Sequence, residues 1–137
     1  MIARTLLLFL IFQSFSTFAF AQKTGQQKVK PRIQVTGIFS DLRYSNESGD
    51  VIGLEIFIVY AGDYYATVQV AEGIPESPFV VKLQVKDSNI EFTLPEKAGS
   101  LSGVGKFTGK ITAASLIGKF EHETEKRVLK RKNSYWQ

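Results

Sequence analysis

The chain of 137 residues has no cysteine, one histidine, one tryptophan, one methionine and four prolines. Without cysteine there is no disulfide framework, so the core alone must hold the fold. A single histidine with no cysteine speaks against a zinc site. No G-x-S-x-G is present, and the catalytic context that would give the histidine a role is missing. No stretch after residue 21 carries the 3.6-residue period of an amphipathic helix. The apolar run at residues 6–18 falls short of the roughly 20 residues a spanning helix needs, and Gln13, Ser14 and Ser16 interrupt it. Charge of one sign is also scarce: 17 Lys and Arg face 13 Asp and Glu. An excess that small gives no argument for nucleic acid as a partner.

What is present begins with the layout of a secretory signal. Arg4 supplies a positive start, residues 6–18 an apolar centre, and Ala19-Phe20-Ala21 a small-x-small cleavage site. Residues 1–21 are therefore expected to be a signal peptide, with Gln22 the new N-terminus and the product in the periplasm or outside the cell. No transmembrane segment is expected after cleavage. No cysteine follows that site, which argues against a lipid anchor. Removing Arg4 brings the net charge from +4 to +3. Residues 22–32, QKTGQQKVKPR, read as a flexible basic arm. Residues 33–137 read as one β-barrel-like domain, since a chain of this size buries roughly 65% of its unfolded surface, enough for one core.

From Ile33 onward, apolar and polar residues alternate with period 2, broken by turn residues. Eight strands follow, at residues 34–44, 51–60, 64–71, 79–86, 89–94, 105–111, 115–122 and 125–132. Gly37 reads as a bulge that switches the facing of the first. On the second strand Ile52, Leu54, Ile56, Ile58 and Tyr60 share one face and Val51, Glu55, Phe57 and Val59 the other, so it is apolar on both sides; on the third, Tyr64, Ala66, Val68 and Val70 share one face. Phe79, Val81, Leu83 and Val85 face inward on the fourth, and Ile90, Phe92 and Leu94 on the fifth. On the sixth and seventh, Gly105, Gly109 and Gly118 alternate with Phe107, Ile111, Leu116, Phe120 and His122, a pattern suited to a tightly curved sheet. The eighth has only Val128 and Leu129.

Short connections favour sequential antiparallel neighbours. The fold class expected is all-β: an antiparallel up-and-down meander of about eight strands forming a small closed barrel, with an open β-sandwich as the alternative. An even strand count lets the first and last strands pair, which removes two exposed edges. Alternate connections then share an end. The longer ones carry Glu47, Asp50, Glu72, Glu76 and Glu96, an acidic rim and the candidate surface for a ligand or partner. The chain ends emerge at the opposite, basic pole, marked by Lys130, Arg131, Lys132 and Trp136.

Each feature has a plainer reading. Loop acids solubilise, and SNESGD lacks the alternating acids and terminal Glu of an EF-hand, so no metal is expected. His122 reads as a surface histidine near a strand end. The KRVLKRKNSYWQ tail lacks helical amphipathicity and reads as a last strand with basic outward residues. Tyr60, Tyr64 and Tyr65 flank one hairpin and read as cross-strand packing.

The segments GIFSDLRYSNESGDVIGLEIFIV, YYATVQVAEGIPESP, FTGKITAASLIGKFE and SYWQ resemble small exported bacterial β proteins of uncharacterised function. That resemblance implies an exported β fold and transfers no catalytic residue. The architecture more loosely resembles the lipocalin-like barrels of the calycin group, which implies a ligand cavity at most. The function expected is that of a non-enzymatic, exported binding protein without cofactor. It would take a small apolar ligand or a protein partner at the barrel mouth or the acidic rim. The alternative is a periplasmic inhibitor or accessory protein that binds a cationic enzyme. A hydrolase is the remote third.

Overall fold

The protein is described by a computed structural model that covers residues 33–95 and 105–133. Among them, ten antiparallel strands form a nearly closed barrel with one unsealed seam. The strands are β1 (Gly37–Ser40), β2 (Arg43–Tyr44), β3 (Val51–Tyr60), β4 (Tyr64–Gly73), β5 (Phe79–Lys82), β6 (Gln84–Lys86), β7 (Asn89–Leu94), β8 (Gly105–Ile111), β9 (Ser115–Phe120) and β10 (Arg127–Lys132). The β-branched and aromatic content of β3 and β4 suits long pleated strands, and the pair runs in unbroken register from Val51↔Gly73 to Tyr60↔Tyr64.

The sheet order is β5-β4-β3-β1-β10-β9-β8-β7-β6, with β2 beside β3. The first and last strands pair, as an even count allows, through Ile38↔Lys132, Phe39↔Arg131 and Ser40↔Lys130. The two ends of the order are the two halves of one extended run, residues 79–86. β5 pairs with β4, the Leu83 N–H still donates to the Tyr64 carbonyl at 2.9 Å, and β6 then pairs with β7. The seam lies between β5 and β7, which are neighbours without a ladder among the described residues.

Ten strands replace the eight expected because two runs break. Residues 79–86 change partner at Leu83. The first run breaks at Asp41–Leu42, where the Asp41 carboxylate takes the Leu54 N–H at 2.6 Å. Gly37 is not a bulge: it pairs in regular register with Ile58, and Val35 and Phe39 both pack against the core. Its φ of +137° and lack of a side chain serve another purpose, since a Cβ there would stand 2.5 Å from Arg131 Nη1.

The interior is packed with side chains. Leu54, Ile56, Ile58, Ala66, Val68 and Val70 line the β3–β4 wall, and Ile90, Phe92, Leu94, Phe107, Ile111, Leu116, Phe120 and Leu129 fill the other side. Phe107 stacks on Phe92 with centroids 5.0 Å apart and meets Phe120 edge-on at 5.2 Å. Its ring lies over the facing pair Gly109↔Gly118. A Cβ at Gly118 would stand 2.5 Å from both Phe107 Cζ and the Thr108 carbonyl oxygen, so only glycine lets ring and backbone approach there.

Arg131 plugs the end of the barrel where β1 begins and β10 finishes. Its guanidinium carbon sits 4.4 Å above the Phe39 ring. Its nitrogens donate to the carbonyls of Gln34, Thr36 and Ala113 at 2.6, 2.8 and 3.0 Å, and to that of Thr112 at 3.5 Å. Partial burial lowers the Arg131 pKa from its ordinary value.

Candidate functional site

The long-loop rim is built by the β2–β3 and β4–β5 connections. Residues 45–50 make a tight turn, with the Ser45 N–H donating to the Asp50 carbonyl and the Gly49 N–H to the Ser45 carbonyl, both at 2.8 Å. The β3–β4 register sets Ile52 opposite Glu72 and Val51 opposite Gly73, which brings Asp50 Oδ1 within 3.7 Å of where a Gly73 Cβ would stand. The second loop is folded back on β4. There the Glu76 N–H donates to the Val70 carbonyl at 3.0 Å, and Gln69 Nε2 donates to the Glu76 carbonyl at 3.1 Å. Glu47 and Glu72 are exposed, Asp50 and Glu76 half-buried. Among them stand Ile74, 76% exposed, and Tyr44, 63% exposed. The cation Arg43 pairs with Ile52 on the neighbouring strand. The structure therefore brings Glu47, Asp50, Glu72 and Glu76 to one side of one rim. Glu96 lies outside the described residues.

The basic pole divides. Lys130 and Lys132 are exposed on β10, but Arg131 is spent on the carbonyls it plugs. Trp136 lies outside the described residues, as do residues 1–32, where the signal peptide and basic arm are expected. His122 does not continue β9. It sits exposed in the following turn and stacks on Phe120 at 5.8 Å. That turn is tied down by Glu123, which accepts the Phe120 N–H at 2.8 Å and Arg127 Nε at 2.6 Å. Among the described residues no three His, Asp or Glu side chains converge as metal ligands. Tyr60 and Tyr64 form an edge-to-face cross-strand pair at 4.9 Å.

One concave surface is not legible in the sequence. The outer faces of β6 to β9 form an open hollow of about 650 Å³, edged by Lys86, Lys110, Lys119 and Lys126, with Val85 and Ile117 among its apolar lining. Each lysine alone reads as an outward strand or loop residue. The register aligns two of them, since Lys86↔Asn89, Asn89↔Lys110 and Lys110↔Ile117 form one outward row, and sets Lys119 in the next, opposite Thr108. The hollow lies outside the Gly109↔Gly118 pair and is lined in part by both glycines. Glu91, also in it, is neutralised by Lys106 at 2.7 Å.

Charge divides with the sheet. Described residues 33–82 carry two cations against seven acids, a net of −5, whereas 84–133 carry nine against five, a net of +4. The asymmetry expected between poles is thus also one between the two sides of the barrel.

Comparison with protein-family models, with curated proteins and with solved structures finds no match to this chain.

Proposed function

We propose that the chain is an exported, non-enzymatic binding protein that docks a cationic protein surface on its long-loop rim. The observation that carries this reading is the rim itself: Glu47, Asp50, Glu72 and Glu76 stand around exposed Ile74 and Tyr44. Apolar anchors within a polar, charged border are the ordinary anatomy of a protein interface. A lipocalin-like barrel would hold its ligand inside. Here the interior is occupied by Phe92, Phe107, Phe120 and the aliphatic wall, which favours recognition by the outer surface. The N-terminal layout supports export.

The test uses decalysine as a cationic probe. Glu47→Gln, Asp50→Asn and Glu76→Gln together should weaken its binding several-fold, mostly through the association rate, as rim charges do. The difference should shrink as salt rises, because exposed charges are screened over about 10 Å at 0.1 M. Lys130→Gln with Lys132→Gln should leave probe binding undiminished. Arg131 is left intact because it holds the barrel end together. Equal probe binding by the acid-depleted variant and the wild type at low salt would overturn the reading.

A further inference from the structure

We infer that the partner of the acidic rim is a second copy of this chain, its rim loop seated in the lysine-edged hollow outside β6–β9. The inference rests on the rim reading above and adds the identity of the partner. Three observations carry it.

The first is charge. The hollow offers Lys86, Lys110 and Lys126, which have no ion-pair partner among the described residues. Lys119 is held at 2.8 Å by the Glu123 carbonyl, and no carboxylate among the described residues pairs with it. The rim of another copy brings Glu47 and Asp50 on one loop and Glu72 and Glu76 beside it. Rim against rim would oppose acids, and hollow against hollow would oppose lysines. Rim against hollow is the pairing that opposes unlike charges, and like-charge juxtaposition is what suppresses wrong partners.

The second is shape. The 45–50 turn is closed by two backbone hydrogen bonds, so its tip is pre-organised and little ordering is lost on docking. The hollow is dished and open, with Val85 and Ile117 in its lining, a counterpart for the exposed Tyr44 and Ile74 beside the acids.

The third is position. Following the sheet order, the rim loops spring from β2, β3 and β4, and the hollow spans β6 to β9. The rim stands at one end of the barrel and the hollow on the outer wall of other strands, so the two surfaces are separate. A rim seated in a neighbour's hollow then leaves that neighbour's own rim open to a third copy. The contact is head-to-tail, and such heterologous contacts generate rings or open chains rather than a two-fold dimer.

Sedimentation velocity of the purified protein tests this. At about 10 mM salt, where the screening length is about 30 Å, the average mass should rise past the dimer with concentration; at about 1 M salt, where it is about 3 Å, it should fall to the monomer. Glu47→Gln with Glu76→Gln removes the rim, and Lys86→Gln with Lys110→Gln removes the hollow. Each variant alone should stay monomeric. Mixed in equal amounts, they retain one complementary pair of surfaces and should stop at a one-to-one dimer. A wild type that is monomeric at low salt overturns the inference, and so does a hollow variant that assembles like the wild type. If the wild type is monomeric yet decalysine still binds in a Glu47-dependent way, the second copy falls and the rim reading stands. If both signals are absent, both readings fall.

Discussion

Residues 33–82 wall the core with aliphatic side chains on two ten-residue strands, whereas residues 84–133 fill it with phenylalanine rings over facing glycines. In the first half, β3 and β4 run side by side for ten paired positions. The outer face of this half leaves apolar residues in water, with Phe57 on β3 42% and Val80 on β5 72% exposed. In the second half, β7, β8 and β9 are shorter, and Phe107 occupies the space that side chains at Gly109 and Gly118 would need. Branched aliphatics make a wall; a ring seated on glycine lets backbone come inward, and the hollow lies outside that place. The net charge changes sign between the same two halves. Packing inside and charge outside are therefore divided along one line.

The largest expected effect breaks the aromatic half. Phe107→Ala removes the ring that touches Phe92, Phe120 and both glycines, and should cost about 3–5 kcal/mol in urea unfolding. Ile56→Val, the matching change in the aliphatic wall, should cost about 0.5–1.5 kcal/mol. Equal losses would mean that the rings do not organise their half. Next comes the joint between the halves. Arg131→Met keeps a long side chain over Phe39 but removes every donor to the four carbonyls. It should cost about 1.5–3 kcal/mol, the range of hydrogen bonds to charged groups. Hydrogen exchange should show lost protection at the β1–β10 ladder first, and unchanged protection there would contradict the plug.

The smallest effect concerns the exposed Lys82–Asp63 pair at the end of the acidic half. Its hydrogen bond to Asp63 raises the Lys82 pKa above the ordinary value of 10.5. A raised pKa stabilises the folded state below the unfolded value, and the contribution is lost as pH rises through the folded one. The small gap in urea midpoint between wild type and Lys82→Gln should therefore close above about pH 10.5. A gap that widens there would reverse the sign.

The period-2 alternation made most of this fold legible. Leu54, Val68, Leu83, Phe92 and Leu116 are all buried where it places them, and the even strand count implied the β1–β10 closure. The breaks were not legible. Residues 79–86 alternate without interruption, and the change of partner at Leu83 is forced by closing the sheet, a property of the whole barrel rather than of that run. Gly37 looks like a bulge locally, because its reason is Arg131, distant in sequence and adjacent only after closure. That Glu47, Asp50, Glu72 and Glu76 stand at one end followed from which connections share an end. The hollow did not, because Lys86, Lys110 and Lys119 come together only once the register of four strands is known.

The Arg131 plug also has a consequence in time. It joins β10 to Gln34 and Thr36, 97 and 95 positions earlier in the chain. Contacts that distant form late, since the loop-closure entropy must be met before they return anything. Until β10 arrives, β1 has one open flank, and the half-built sheet cannot close. A chain whose last strand is also its latch remains open while it is being made.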